Sequence, residues 1–407
     1  MCFRNRPCCG RLDAKNVQFD SPRTRCGMGL DLTSYRRPKV RQIPLQFRLC
    51  VLLAGLLSAS CHAGHAEETH TSAPAEPAAA ELAQPLSAPS PLVLVRPLGR
   101  PPLCEPSALA RAPWDPALAL VGDNELDDTL FAFSLEDGSL QGQHDLELPK
   151  GVRPHDLEAM VALGPDELVF VGSHSRNKHC ERRPKRHRLQ SITLADDGSW
   201  LPGHSIDTDA DELFASLESC AAAFPAGALA QTTCTALVDA RERADQGEKP
   251  CEALNIEGAA QVADRIWLGL RGPQLDGKAL LLRLVWPTDT LRFDGVATVD
   301  LAGAGVRELA ATAEQLYVIS GPQQDGGEFA LWSLPLTALE ADTALVPTKL
   351  RALPPSSEGL LLTDTDALVV IDGRKGDDAQ SCAVDGQQAL LPLHPDSAKT
   401  TSPKVSP

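Results

Sequence analysis

Short apolar runs separated by turn residues fill the chain between residues 93 and 395. They are rich in Val, Ile and Leu, as in "TLFAFSL" (129–135), "LQSITL" (189–194), "ALLLRLV" (279–285) and "FALWSL" (329–334). Their length of about four to eight residues, and the Gly, Pro and Asp residues that bound them, are typical of buried β-strands. The pattern therefore predicts an all-β domain.

The strand pattern repeats about every fifty residues, and each repeat opens near a glutamate. The openings are "CEPSALA" (104–110), "DLEAMVALG" (156–164), "NIEGAAQVA" (255–263), "RELAATA" (307–313) and "SEGLLLT" (357–363). Their glutamates are Glu105, Glu158, Glu257, Glu308 and Glu358, spaced 53, 99, 51 and 50 residues apart. About fifty residues with roughly four strands is the pattern of a β-propeller blade. We predict a single propeller of about five four-stranded blades over 93–395, with "PLVLV" (91–95) completing the last blade.

The long interval of 99 residues predicts one blade plus a helical insertion over 209–250. Blade two is expected to end near Ile206, and segments 211–224 and 228–246 have helical composition. Leu213, Phe214 and Leu217 fit one face of the first helix.

The first sixty residues have the pattern of an export signal, with Met28 as a second candidate start. A basic stretch (36–42) precedes the apolar core "LCVLLAGLL" (49–57) and the small-residue site "SASC" (58–61). This site resembles a bacterial lipobox, which predicts lipidation of Cys61; cleavage near "AGHA" (63–66) with a soluble product is the alternative. Residues 61–92, rich in Ala, Pro and Glu, predict a disordered tether, and 396–407 a disordered tail. The expected location is the bacterial envelope, lipid-anchored and at the outer membrane, or the periplasm.

Charge and cysteine content agree with an exported protein. After Ser60 the chain has 27 Lys and Arg against 51 Asp and Glu, which excludes nucleic acid as an expected partner. Six cysteines follow Cys61, and an even number in an oxidising compartment predicts disulfides, although six cysteines allow fifteen connectivities. The candidates are Cys104, Cys180, Cys220, Cys234, Cys251 and Cys382. Cys104 and Cys382 fall in the first and last blades, so we hypothesise that their disulfide clasps the ring.

The glutamates would form a ring at one mouth of the channel, because the first strand of each propeller blade lines the channel. The turns after the second strands add further candidate ligand-binding residues, namely Asp123, His174, Arg176, Arg271 and Asp372. Such carboxylates need a cation, basic partners or hydrogen bonds to remain ionised together. Calcium suits a site of oxygen ligands, and Asp123, Glu158 and Glu257 are its candidate ligands. Repetition in every blade favours the alternative that each glutamate binds backbone amides of the next blade.

Three other motifs have a structural and a functional interpretation. Asp207, Asp209, Asp211 and Glu218 fit positions 1, 3, 5 and 12 of a calcium-binding EF-hand loop, but Glu212 replaces its glycine, so an acidic helix start is favoured. The basic run 176–188 is interpreted as a loop between blade strands rather than an anion site. His155 and His174 flank a strand pair and are interpreted as hydrogen-bonding residues.

The motifs "HDLEAMVALGPDELVFVGSHSRNK" (155–178), "NIEG" with "IWLGLRGP" and "ALLLRL", and "SSEGLL" (356–361) resemble a bacterial family, domain of unknown function 3616 (DUF3616). The resemblance spans nearly all of residues 100–390. It implies a β-propeller fold and placement outside the cytoplasm, and it implies no activity.

Two functions are compatible with these observations. The first is an envelope-anchored binding module for an unknown small ligand or envelope protein, with the membrane contacted through Cys61. The alternative is a calcium-dependent hydrolase, similar to esterase, lactonase or phosphoesterase propellers, with Arg271 orienting an anionic substrate. The chain has no G-x-S-x-G, H-E-x-x-H or phosphate-binding glycine motif, so no catalytic residue is predicted.

Overall fold

The structure, a computed structural model, describes residues 94–98, 103–124, 126, 128–149, 152, 155–249, 251, 254–324, 326–340, 344–375 and 382–393. The predicted signal, the tether with Cys61, and the tail lie outside these residues. No helix in the described ranges is both long and apolar enough to span a membrane.

Strands dominate the described residues, with three helices between the ninth and tenth strands. The strands are β1 (Leu94–Pro97), β2 (Pro106–Arg111), β3 (Leu118–Asp123), β4 (Thr129–Ser134), β5 (Leu140–Asp145), β6 (Leu157–Ala162), β7 (Glu167–Gly172), β8 (Leu189–Leu194), β9 (Trp200–Ile206), β10 (Asn255–Val262), β11 (Arg265–Gly272), β12 (Ala279–Leu284), β13 (Phe293–Val299), β14 (Gly305–Ala311), β15 (Gln315–Gly321), β16 (Phe329–Pro335), β17 (Ala344–Leu345), β18 (Thr348–Leu353), β19 (Ser357–Leu362), β20 (Asp366–Ile371), β21 (Arg374–Lys375), β22 (Cys382–Val384) and β23 (Gln387–Pro392). The helices are α1 (Ala210–Leu213), α2 (Leu217–Ala223) and α3 (Ala228–Asp245), with 3-10 turns at Pro184–Arg186 and Leu336–Glu340.

These strands form a five-bladed β-propeller of four-stranded antiparallel sheets, which confirms the predicted fold. From the channel outwards the blades are β2-β3-β4-β5, β6-β7-β8-β9, β10-β11-β12-β13, β14-β15-β16-β18 and β19-β20-β23-β1. The short β17 adds a parallel strand to blade three, and β21 and β22 form a separate hairpin. Each inner strand contacts the next, and β19 contacts β2, so the ring is closed.

The two ends of the propeller close the ring together. Strand β1 is the outermost strand of blade five, where Leu94 pairs with Leu390 of β23. Cys104, just before β2, forms a disulfide with Cys382 of β22 at a Cα–Cα distance of 5.2 Å. The predicted clasp is confirmed, and the predicted closing position is taken by Leu94–Pro97, whereas residues 91–93 of the predicted strand lie outside the described residues.

The core consists of apolar layers between successive blades. Successive side chains of each buried strand point alternately to the two adjacent blades. In β3, Leu120 packs towards blade two, whereas Val121 packs towards blade five. Burying one such side chain stabilises the fold by about 1.5–3 kcal/mol. The layers therefore fix the inner strands in place around the channel.

The helical insertion follows blade two, as predicted, but its first helix is broken. Asp209 caps α1, and Ser216 and Ser219 form a reciprocal capping box that begins α2. Phe214 is fully buried, whereas Leu217 is 52% exposed, so the predicted apolar face was wrong at Leu217. The new helix start at Ser216 changes the direction of the side chains that follow it.

Two further disulfides hold the insertion and the loop beside it. Cys220–Cys234 joins α2 to α3, and Cys180–Cys251 joins the loop after β7 to the segment before β10. Three disulfides in one domain are consistent with an oxidising, exported environment.

Candidate functional site

Every inner strand of the propeller carries a β-bulge at the same place near its start. One residue has no pairing partner between two paired neighbours, for example between Leu157 and Ala159 of β6. Bulges redirect side chains locally. The unpaired residues, which we call the bulge ring, are Ser107, Glu158, Glu257, Arg307 and Glu358.

The predicted ring of five glutamates was wrong in two positions, because Ser107 and Arg307 occupy the equivalent places in blades one and four. Glu105 precedes β2, and its backbone N–H donates to Asp123 Oδ2 at 3.1 Å. Glu308 follows the bulge, and its Oε1 accepts from the Leu309 N–H and, across the blade boundary, from the Ala259 N–H at 3.2 Å. The predicted role of binding a neighbouring blade's amide is therefore seen at Glu308.

Arg307 connects three blades at the channel mouth, and sequence reasoning missed it. Its Nη1 donates to Glu257 Oε2 at 2.7 Å and to Glu358 Oε1 at 2.9 Å. Burial alone would lower the pKa of Arg307, but Glu257, Glu358 and Glu158 outweigh it and raise that pKa above its usual value. The guanidinium is therefore a permanent cation whose single positive charge is shared between two carboxylates.

Glu257 has a second arginine partner that the other blades lack. Arg271 is itself unpaired in β11, since Leu270 pairs with Ile256 and Gly272 with Asn255. Its Nη1 donates to Glu257 Oε1 at 3.0 Å, on the opposite side of the carboxylate from Arg307. Glu257 is therefore occupied on both oxygens.

Glu158 differs from the other two glutamates of the bulge ring. It is half-buried, and it makes no hydrogen bond or ion pair with any residue that the structure describes. Burial, followed by the charges of Asp156, Glu257 and Glu358, raises its pKa well above the usual value, with Arg307 opposing. The surroundings of Glu158 therefore favour the neutral carboxyl group, and a nearby cation would favour its ionised form.

A polar cavity of about 490 Å³ opens beside Glu158. Residues of blades two, three and four and of the loop after β7 surround it, among them Asp156, Glu158, Arg176, Lys249, Glu257 and Arg271. Asp156 is paired with Arg186 at 2.9 Å, and Lys249 donates to the Lys178 carbonyl, so both carry partners already. Glu158 is thus the acid on this wall that is left for a ligand.

A second acidic group lies at the boundary between blades five and one. Burial, and then Glu358, Glu105 and Asp123, raise the pKa of Asp372 to about 8. Burial and Glu257 also raise the pKa of Glu358 to about 7, although Arg307 and Arg271 oppose them. The buried carboxyl groups at the channel mouth therefore outnumber the two arginines, Arg271 and Arg307, that pair with them.

His174 and Arg176 lie on the side of the mouth that faces the helical insertion. His174 is buried, stacks on His187 with ring centroids 5.7 Å apart, and does not line the cavity. Its Nδ1 lies 3.0 Å from the Gly172 carbonyl oxygen, and burial lowers its pKa to about 4. Arg176 lines the cavity but donates to Asp211 and Asp245, so it braces the insertion against blade two.

The predicted calcium ligands do not come together as one group. Glu257 is occupied by two arginines, and Asp123 lies with Asp372 rather than with Glu158. Within the described residues, one set of side chains places three ligand atoms within 4.8 Å of one another, and it is His187, Asp209 and Asp211. Asp207 instead pairs with Arg188 at 2.6 Å, and Glu218 is exposed on α2, as an acidic helix start predicts.

The basic run 176–188 is a loop between β7 and β8, as interpreted from the sequence. Part of it faces the cavity through Arg176, Lys178 and Arg186, and part is exposed at Arg182 and Arg183.

Comparison with known families identifies one match. Residues 251–354, which span blades three and four, match the family described as "Protein of unknown function (DUF3616)". Together with the five-bladed fold, this match confirms the family resemblance that the sequence motifs predicted. No curated protein matches the chain.

Solved structures with a similar arrangement are distant. The WD40 repeats of RRP9 are 11% identical with a TM-score of 0.39, covering 75% of this chain and 99% of that one. A glutaminyl cyclase from Myxococcus xanthus is 9% identical with a TM-score of 0.38, covering 74% and 97%. Similarity at this level carries no argument about activity.

Proposed function

We propose that this chain is an exported binding module whose propeller mouth holds a small ligand with a protonated amine. The observation that carries the proposal is Glu158, a half-buried carboxyl group without a partner among the described residues, on the wall of a cavity of about 490 Å³. A cavity of this size is within the range that small-molecule sites occupy.

The charge balance around Glu158 favours a cationic group. Arg307 is shared between Glu257 and Glu358, and Arg271 is paired with Glu257, so neither arginine is committed to Glu158. An ammonium group beside Glu158 would favour the ionised carboxylate, and it would supply the positive charge that neither arginine commits to Glu158.

A calcium-dependent hydrolase activity is less well supported by the geometry of the site than the binding of an amine. Calcium prefers six to eight oxygen ligands, and at Glu257 the arginines occupy the oxygens that it would need.

A thermal-shift experiment with defined probes tests the proposal. The probes are cadaverine, spermidine, L-lysine, inorganic phosphate and calcium chloride, each added to the purified exported protein. We expect at least one of the amines to raise the melting temperature, and Glu158→Gln to remove that rise. Glu212→Gln, at an exposed position on α1, should behave like the wild type.

The other outcomes separate the two functions. A rise with calcium alone, lost in Glu158→Gln and accompanied by turnover of a nitrophenyl ester, would replace binding by the hydrolase. A rise with phosphate alone would show that the arginines, rather than Glu158, define the ligand.

We further propose that the protein is attached to the bacterial envelope through a lipid on Cys61, which lies outside the described residues. The three disulfides support export, and the lipobox-like sequence supports the anchor. Cys61→Ser should move the protein from the membrane fraction to the soluble periplasmic fraction and abolish labelling by a palmitate analogue. Equal distribution of variant and wild type would contradict the anchor.

A further inference from the structure

We propose that His187, Asp209 and Asp211 bind one divalent transition-metal ion of the zinc class, at the junction between blade two and the helical insertion. This site is separate from the proposed amine site. It uses residues that the sequence presents as parts of a basic run and of an acidic helix start.

Two chain segments place the ligand atoms together. His187 follows the 3-10 turn at the end of the basic loop, and the two aspartates begin α1. One ligand atom from each residue lies within 4.8 Å of the other two, and His187 Nδ1 lies 3.1 Å from Asp209 Oδ1. A tetrahedral zinc ion with nitrogen and oxygen ligands at about 2.0–2.2 Å holds its ligand atoms about 3.4 Å apart, so the side chains must rotate towards one another when the metal binds.

The buried atoms at this junction lack the hydrogen bonds that buried polar atoms normally make. His187 is 2% exposed, and neither of its ring nitrogens meets the geometry of a hydrogen bond. Asp211 is also 2% exposed, and its Oδ2 accepts no hydrogen bond. Buried polar atoms nearly always make hydrogen bonds. An imidazole and a carboxylate that both have atoms without one, side by side, therefore favour a metal ion as their shared ligand.

The donor set selects the class of metal. An imidazole with two carboxylates suits zinc and related transition metals, whereas calcium and magnesium prefer oxygen ligands alone. Asp211 Oδ1 accepts from Arg176 Nε at 3.1 Å, which orients the carboxylate and leaves Oδ2 for the metal. Three protein ligands leave a fourth position for water.

Arg182 competes for the same oxygen. Its Nε lies 3.3 Å from Asp211 Oδ2, and its side chain is 44% exposed, so it can move into solvent when a metal binds. Removing this guanidinium should therefore strengthen metal binding. Nonspecific binding of zinc to exposed carboxylates elsewhere would not depend on Arg182.

Zinc titration of the purified protein without a polyhistidine tag tests the site. We expect one zinc per chain by elemental analysis after dialysis, with affinity measured against a chromophoric chelator. Loss of a ligand in His187→Gln should weaken binding by about 100-fold or more, and Asp209→Asn by about 10-fold or more. Asn still caps a helix, so Asp209→Asn keeps α1 intact even if His187→Gln folds poorly.

Two more variants complete the test. Arg182→Gln should tighten zinc binding several-fold, and His204→Gln should leave it unchanged, because His204 Nε2 contacts the Thr288 carbonyl oxygen outside this cluster. Absence of a saturable zinc site in the wild type would overturn the proposal. Unchanged affinity in Asp209→Asn, or a loss in His204→Gln, would also overturn it.

Discussion

Arg307 donates from Nη1 to Glu257 Oε2 at 2.7 Å, across the boundary between blades three and four. The same nitrogen lies 2.9 Å from Glu358 Oε1, so one guanidinium joins the inner strands of blades three, four and five. Three of the five blades are thus held by one buried charge at the channel mouth. The stability of the mouth should depend strongly on this side chain.

Replacing Arg307 by Gln should leave two buried carboxylates without their shared cation. Breaking a buried ion pair in this way costs about 3–5 kcal/mol, so the free energy of unfolding at pH 7.5 should fall by that amount in urea denaturation. Arg265→Gln is the matched control, because Arg265 is 40% exposed and its ion pairs should contribute under about 1 kcal/mol. A loss no larger than that of the control would show that the mouth tolerates Glu358 without an arginine partner and Glu257 with Arg271 alone.

Asp372 should make the protein less stable as the pH rises. Its pKa in the folded protein, about 8, lies above that of an ordinary aspartate, so the protonated form is favoured by folding. This contribution is fully present below about pH 4 and is lost as the pH rises through 8. Asp372→Asn should therefore match the wild type at pH 4 and exceed it by about 1–3 kcal/mol at pH 9, after allowance for partial solvent exposure.

Urea denaturation across this pH range measures the effect of Asp372→Asn. Asp264→Asn is the control, since Asp264 is 81% exposed and should show no such trend. An Asp372→Asn variant that is less stable than the wild type at pH 9 would contradict the assignment.

Removing the Cys104–Cys382 disulfide should loosen the ring closure. A double change to Ser frees the segment before β2 from the β21–β22 hairpin, and loss of a native disulfide typically costs about 2–5 kcal/mol. Chemical denaturation of the double variant, compared with the wild type under non-reducing conditions, gives the difference. Equal midpoints would mean that the pairing of β1 with β23 closes the ring without help.

Gly258→Ala should disturb the contact between blades three and four. A Cβ at this position would lie 2.8 Å from the backbone Cα and carbonyl carbon of Glu308, which cannot move independently of β14. Overpacking of this kind costs about 1–3 kcal/mol in unfolding free energy, measured by urea denaturation. Gly142→Ala is the control, because its Cβ would meet nothing closer than His144 Nε2 at 3.6 Å.

The fold could be predicted from the sequence because its signals are local. Runs such as "ALLLRLV" (279–285) carry the apolar content of a buried strand, and residues 279–284 form β12. Residues 91–95 were predicted to complete the last blade, and β1 (Leu94–Pro97) is the fourth strand of that blade.

The channel mouth was predicted less completely, because strand register is not visible in residue types. A glutamate can lie before a strand, like Glu105, or at the bulge within a strand, like Glu158, and the residue type does not distinguish the two positions. Arg307 has the correct spacing, 50 residues after Glu257 and 51 before Glu358, but alignment on glutamates selected its neighbour Glu308. Repeat spacing does not separate the two residues, because Glu308 lies 51 residues after Glu257 and 50 before Glu358.

The outermost strand of blade five has a consequence for how the molecule is made. Among the strands of the described residues, β1 is synthesised first and its pairing partner β23 is synthesised last. Until Gln387–Pro392 has been synthesised, the first strand has no partner to join, and the final blade consists of β19 and β20 alone. Ring closure therefore cannot precede the synthesis of β23, and a chain truncated before β23 would be left with an open, unpaired edge.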